Sequence, residues 1–338
     1  MTANLKAIPK KELIDGAPVT ISEKEVGRSD IYPQAIKHSP NGLNVMISDG
    51  EEYIIYKVQG FKNVHFGQGA KFVWSQENGY AVHKGDEVRI FDSSFNQRST
   101  IKTSYQVEGL HGGPLLGIRT NDFIMFYDWD STVFVQKIEI NCKDLYWNST
   151  SYKLAVAAPQ QLYLLQFNPN TLKAFLSSGK QEAGDDGIDE AFSIESELTE
   201  TVISGIWLKN CFFYVTSQNK LNYVVKDKPI NYAYLERPSS VLGYMSTQGA
   251  LFFVDGANRI TSYEIPQNFP SAISSIAEED FDSMRADLDK IENNKFHDKV
   301  AKYLEAIDNI EIAFEVVKNP EMKFEYALKL EKVDEAHQ

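Results

Sequence analysis

Short apolar runs alternate with turn formers through most of the chain, and Gly112–Trp147 shows the arrangement most plainly. Leu115–Ile118, Phe123–Trp129 and Val133–Ile138 are separated there by Thr120-Asn121-Asp122 and Asp130-Ser131-Thr132, and Asp144–Trp147 opens the next set. Runs this short, rich in aromatic and β-branched residues and broken by Asn, Asp and Ser, predict antiparallel strands joined by hairpins. Three or four such strands followed by another set predict the blades of a β-propeller.

The set recurs. Phe72-Val73-Trp74-Ser75 precedes Tyr80–Val82 and Val88–Phe91; Leu145-Tyr146-Trp147-Asn148 precedes Leu154–Val156 and Leu162–Leu165. Gly205-Ile206-Trp207-Leu208 precedes Phe212–Thr216 and Leu221–Val225, and a last set, Val241–Tyr244, Leu251–Val254 and Ile260–Ile265, lacks the Trp. An earlier set, Leu43–Ser48 and Tyr53–Val58, follows the tight-turn chemistry of Ser39-Pro40-Asn41-Gly42. That is roughly six units, near the ~40–45 residues per blade of propellers. A mainly β fold results, with a propeller of about six to seven blades over residues 17–268 and a closing strand in doubt at the N-terminal side. A sheet with two apolar faces cannot bury both alone, so such units stack around an axis. The recurring Trp then fills the space between blades. A β-sandwich has similar strand lengths but no reason for that recurrence.

Residues 1–16 are polar and read as irregular; Pro18–Val26 alternates weakly, as one outer strand would. Ser177–Glu190 is polar and acidic. Its spacing does not match a helix-loop-helix calcium loop, so it reads as a solvated surface loop, with a short helix or strand over Asp189–Glu197. After Pro266 the period changes. Ile273, Ile276, Phe281, Met284, Leu288, Ile291, Phe296, Val300, Tyr303, Leu304 and Ile307 recur at helical spacing. Asp308 with Glu311 reads as a capping box, and Asn319-Pro320-Glu321 as a helix start. Helical hairpins in series predict the start of an α-solenoid over residues 269–338. The chain stops at Gln338 inside that pattern, so it is expected to be a piece of something longer.

Composition adds exclusions. A net charge of −13 argues against a nucleic-acid partner, which needs a clustered basic face. The two cysteines, Cys142 and Cys211, lie in strands and read as buried free thiols. The opening MTANLKAIPKKELIDG has no apolar core of a signal peptide, and no run nears the ~20 apolar residues of a spanning helix. Asn148-Ser149-Thr150 is a glycosylation sequon. Catalytic signatures are missing: no GxSxG, HExxH, Walker A loop or GxGxxG occurs. Gly67-Gln68-Gly69-Ala70-Lys71 lacks the spacing and following helix of a phosphate loop, and the six histidines are scattered. Glu278, Glu279, Asp280 and Asp282 read as a solvated helix start. No catalytic, cofactor-binding or metal-ligating residue is expected, and no cofactor.

Several stretches carry a more specific likeness. They are Ile31-Tyr32-Pro33-Gln34 with His38–Gly42, Phe126–Trp129 with Lys137–Ile140, Asp186–Phe192, Asn219–Tyr223, Val300–Glu305 and Lys323–Leu328. In register from about residue 19 to residue 333, the chain resembles the coatomer beta-prime subunit family of the COPI vesicle coat. That resemblance implies a non-catalytic scaffold segment: the second of two WD-type propellers and the first solenoid helices. It implies retrograde Golgi-to-ER and intra-Golgi traffic, and peripheral attachment on the cytosolic side of Golgi membranes and coated vesicles. The implied partners are other coatomer subunits, especially the alpha subunit, with a coat-recruiting small GTPase and cargo tails engaged through the full-length protein. In this family the first propeller reads dilysine signals; its counterpart is missing here, so no cargo-binding residue is carried over. Two other readings stand beside it: a propeller scaffold of another assembly, such as an intraflagellar or pore complex, and a propeller enzyme with a site where several blades converge.

Overall fold

A computed structural model describes residues 2–3, 13–21, 23–179 and 183–332. Strands β1 (Thr2–Ala3) and β2 (Glu23–Lys24) form a small ladder. Six antiparallel sheets follow, each made of strands in chain order. Sheet 1 holds β3 (Ala35–His38), β4 (Asn44–Ser48), β5 (Glu52–Lys57) and β6 (Lys62–Gln68). Sheet 2 holds β7 (Lys71–Trp74), β8 (Tyr80–Lys84), β9 (Glu87–Phe91) and β10 (Gln97–Lys102). Sheet 3 holds β11 (Gly109–His111), β12 (Leu116–Arg119), β13 (Ile124–Tyr127) and β14 (Phe134–Ile138). Sheet 4 holds β15 (Asp144–Trp147), β16 (Lys153–Ala157), β17 (Leu162–Phe167) and, after helix α1 (Pro169–Ser177), β18 (Phe192–Leu198). Sheet 5 holds β19 (Val202–Leu208), β20 (Cys211–Thr216), β21 (Lys220–Val225) and β22 (Lys228–Tyr234), and sheet 6 holds β23 (Ser239–Met245), β24 (Ala250–Asp255) and β25 (Ile260–Glu264). Helices α2 (Asn268–Ala277), α3 (Phe281–Leu288), α4 (Asn294–Ala306), α5 (Ile310–Val316) and α6 (Pro320–Lys329) complete the described chain. This four-strand meander, repeated, is the propeller-blade pattern that the apolar spacing predicts, followed by the expected helices.

Two compact units divide the chain. The first is built chiefly from Ser22–Pro159 and Leu165–Ile194, the second from Gln160–Leu164 and Glu195–Gln338 together with the segment 13–21. In the first, sheet 2 shows why the sheets need one another. Phe72, Trp74, Tyr80 and Val82 point one way and join Met46, Tyr53 and Ile55 of sheet 1 in one apolar cluster. Val73, Ala81, Val88 and Ile90 join Leu110, Leu116 and Ile118 of sheet 3 in another. Successive strand residues point to opposite faces, so both faces of sheet 2 are apolar and both are covered. Trp74 ends the first strand of its sheet, and its indole N–H donates to the Lys37 carbonyl of sheet 1 at 3.1 Å. Trp147 holds the same place in sheet 4 and meets Phe126 of sheet 3 edge-on at 6.1 Å. Gly112 lies against sheet 2 so closely that a Cβ there would sit 2.1 Å from the Trp74 carbonyl oxygen.

The acidic insertion differs from the solvated loop that its composition predicts. Asn168 caps α1 by accepting the Asn170 N–H at 3.1 Å, with Pro169 in the first turn. The chain then returns along the outer edge of sheet 3. Ile188 N–H donates to the Val135 carbonyl at 2.6 Å, Lys137 N–H to the Asp186 carbonyl at 3.1 Å, and Gly187 bridges Gln136. Ile188 is buried. Gly187 has φ +110°, and a Cβ on it would lie 2.3 Å from the Val135 oxygen, so only glycine fits. The carboxylates disguise an edge guard, because an outer strand has backbone groups that need partners.

In the second unit all six residues of β20 are buried. Phe213, Tyr223 and Phe253 of sheets 5 and 6 share one core with Phe269, Ile273, Met284, Phe296, Val300 and Leu304 of the helices. The apolar positions picked out by helical spacing are therefore the buried face. Asn319 caps α6 by accepting the Glu321 and Met322 N–H groups at 2.9 and 3.2 Å. The capping box expected at Asp308 is not formed: Asp308 has φ +62° and closes the preceding turn, and Asn309 precedes α5 without a side-chain cap bond.

Sheet 6 has three strands of its own, and the N-terminal side supplies a fourth edge. Gly16 N–H donates to the Ser262 carbonyl at 2.9 Å, Val19 N–H to the Ile260 carbonyl at 2.7 Å, and Pro18 bridges Thr261. Leu13, Val19 and Ile21 pack against Ala250, Phe252 and Ile260. The sequence places irregular chain up to residue 16 and an outer strand at Pro18–Val26; the pairing along β25 starts at Gly16 and ends at Val19. Proline on an outer edge costs no ladder bond, so such a segment gives little strand signal.

Gly112→Ala is expected to destabilise the protein by about 1–3 kcal/mol, the usual cost of overpacking. Gly256→Ala, whose Cβ would face open space, should stay within about 0.5 kcal/mol. Urea unfolding of the two variants beside the parent checks both.

Candidate functional site

One group of ionisable side chains in the first unit lies where the first strands of sheets 3 and 4 meet. His111 Nδ1 is 3.5 Å from Asp144 Oδ1. Arg119 donates from Nη1 to the Cys142 carbonyl at 3.3 Å and from Nη2 to the Glu108 carbonyl at 3.2 Å. Residue types here match a nucleophile, a base and an orienting carboxylate, yet the environment disables them. Cys142 is buried, and burial pushes its thiol up to about 12, with Arg119 opposing. A thiol held protonated is no nucleophile at neutral pH. Burial also pushes His111 well below its ordinary value, against the pull of Asp144, so it stays neutral. Cys211, in the second unit, is free and buried, with its thiol pushed far up by the same cause.

Most of the remaining sequence candidates hold structural places, while His38 is exposed on β3. His65 stacks on Phe95 with centroids 5.5 Å apart, and His297 is buried with Nε2 3.2 Å from the Ile291 carbonyl. His337 lies outside the described residues. Among those residues no three His, Cys, Asp or Glu side chains group so as to hold a metal ion. At the glycine-rich turn, a Cβ on Gly69 would sit 1.9 Å from Val82 Cγ1, so the glycine serves close packing. Lys71 Nζ is spent on the Val107 carbonyl at 2.5 Å. The sequon residue Asn148 is buried: its amide donates to Thr150 Oγ1 at 2.7 Å and its oxygen accepts the Tyr152 and Lys153 N–H groups. It braces a turn and presents no amide to a glycosyl donor. In the acidic stretch, Asp280 caps α3 by accepting Ser283 N–H, Asp282 pairs with Arg285 at 3.2 Å, and Glu278 accepts from Asn210.

A few apolar side chains face outward. Phe324 and Leu328, four apart on α6 and so on one face, are about half exposed. Ile203 and Leu242 are exposed as well, each at a bulge in the first strand of sheet 5 or 6. Sequence reasoning missed a further perturbed group, Lys299 on α4. Its amine donates to the Tyr232 carbonyl at 2.7 Å, lies 3.9 Å over that ring, and is lowered by burial to about 8. Only its helical spacing from Lys295 hinted at it.

Comparison with known proteins places the chain among β-propellers of one family. A family model described as the COPA/B second beta-propeller matches residues 1–255. This chain belongs to that family. Coatomer subunit beta'-2 of Arabidopsis thaliana is 35% identical over 100% of this chain and 36% of its own length. Coatomer subunit beta' of Macaca fascicularis is 31% identical over 99% of this chain and 37% of its own. The chain thus spans little more than a third of the length of these relatives. Among solved structures, a chain of the mitotic checkpoint complex aligns with a TM-score of 0.52 at 13% identity, covering 73% of this chain and 78% of that one. At that identity the likeness speaks to fold alone.

In this second beta-propeller the stretches that carry the coatomer likeness hold structural posts. Asp186–Ile188 guards the edge of β14, Asn219 turns the chain at φ +59° between β20 and β21, and Val300, Tyr303, Leu304, Tyr326 and Ala327 are core.

His111 yields a pH test. A buried base whose folded value is lowered binds fewer protons than the unfolded chain below about pH 6.5. Stability is then lost as pH falls from about 6.5 toward the lowered folded value. His111→Gln should lose less stability than the parent over that interval; equal loss in denaturant titrations at pH 7 and pH 5 would contradict it.

Proposed function

We propose that this chain is a non-catalytic scaffold segment of the COPI coat, the second propeller and first solenoid helices of a beta-prime-type coatomer subunit. The observation that carries the reading is the match to coatomer beta' subunits over 97–100% of the chain, as in the relatives from Caenorhabditis elegans and Arabidopsis thaliana. The propeller is assigned to residues 17–268 and the solenoid start to 269–338. On this reading the protein serves retrograde Golgi-to-ER and intra-Golgi transport, attached peripherally to the cytosolic side of Golgi membranes and COPI vesicles. No helix among the described residues is long and apolar enough to cross a membrane.

Its chemistry is surface burial. A stable protein–protein interface hides on the order of 800 Å² per partner, more than one small sheet or helix presents. Sheets packed face to face, and helical hairpins packed in series, supply that area by repetition. The partners assigned are other coatomer subunits, above all the alpha subunit, with the recruiting GTPase and cargo tails met by the full-length protein. Neither the inert His111–Cys142 group nor the structural carboxylates favour an enzyme reading.

The test is co-purification. Full-length protein containing this segment, tagged and expressed at native level, should bring down the alpha subunit in near-equal amount. Recovery of the bait without any coatomer subunit would contradict the proposal.

A further inference from the structure

One lysine in the second unit joins three parts of the chain. Lys295, near the start of α4, lies 3.1 Å from Asp15 Oδ2 and 3.0 Å from Glu264 Oε2. The other oxygen of Asp15 accepts the Glu264 N–H at 2.6 Å. Asn293, the cap of α4, donates to the same Glu264 carboxylate at 3.4 Å, and the Tyr232 hydroxyl donates to the Glu264 carbonyl. Beneath them Lys299, one turn along α4, donates to the Tyr232 carbonyl and covers its ring. The chain segment 13–21, the last strand of sheet 6 and the first turns of α4 therefore meet at a single ionic joint.

Exposed ion pairs hold little, because two long side chains must be ordered in water. The side chains of Lys295 and Asp15 are about 40% exposed, so the pair alone would be of that kind. Its setting changes the balance. Asp15 is already fixed by its bond to the Glu264 N–H and by the Gly16–Ser262 and Val19–Ile260 bonds on its C-terminal side. The carboxylate is preorganised, and only Lys295 remains to be ordered.

We infer that residues 13–21 act as a strap that seats the first half of α4 on sheet 6 through Asp15 and Lys295. The strap completes the sheet on one side and pins the helix on the other, so lifting it from β25 loosens α4. Anything that peels the segment away from sheet 6 thereby unlocks the start of the helical array. This inference does not depend on the coat assignment.

Hydrogen exchange followed by mass spectrometry on the whole chain tests it, using Asp15→Asn, Lys295→Gln and the double variant. Asp15→Asn should speed exchange in residues 294–300 as well as 260–264, by roughly two- to five-fold. In the Lys295→Gln background the same change should add nothing in 294–300. High salt should speed exchange in 294–300 more in the parent than in Asp15→Asn, which keeps only the Lys295–Glu264 pair. Acceleration confined to 13–21 and 260–264, additive effects in the double variant, or equal salt response in both proteins would overturn the strap.

Discussion

The sheets of the first unit depend on one constraint, seen most plainly in sheet 2: both of its faces are apolar. A four-stranded sheet with one wet face can stand beside a single neighbour. Sheet 2 cannot, because Phe72 and Trp74 point to one side and Val73 to the other, and each set is buried against a different sheet. Neighbours are thus obligatory, and the spacing between them is set by a few bulky and a few absent side chains. Trp74 reaches across to the Lys37 carbonyl, while Gly112 lets sheet 3 approach the Trp74 backbone. A larger residue at the glycine would push the sheets apart and open the apolar layer to water.

The same logic explains how loops and chain ends are used. Each sheet ends in an outer strand whose backbone groups must be satisfied. On sheet 3 the acidic insertion returns to bond Val135 and Lys137. On sheet 6 the segment 13–21 does it, and Asp15 reaches on to Lys295. Polar sequence is compatible with both roles because the bonds come from the backbone, and one apolar residue anchors each: Ile188, which is buried, and Val19, which is partly buried against sheet 6.

That is also why these features were hard to read in the sequence. The strands and the buried face of the helices were legible, since they rest on apolar period: Phe72-Val73-Trp74 and Phe296, Val300, Tyr303, Leu304 declare themselves. Backbone pairing by Gly16, Pro18 and Gly187 leaves no such period. The His111, Asp144, Arg119 and Cys142 group is drawn from two sheets and from the loop between β14 and β15, where Cys142 lies instead of in the strand expected for it, and nothing in local spacing joins residues 111 and 144. Burial of the Cys142 thiol was legible from its apolar surroundings, but the burial of His111 beside it was not. The family likeness was legible because several of its stretches, Asp186–Ile188, Asn219 and Val300–Leu304 among them, are turn and core posts, which the fold demands in fixed order.

A scaffold reading and this physics agree on one property: the stack must respond as a whole. Native-state hydrogen exchange of the first unit measures that directly, through the amides of β4, β8 and β12. If mutual burial holds the sheets, their slowest amides open with one shared free energy, equal to that of global unfolding. Sheets that exchange independently, each with its own lower opening energy, would contradict the account.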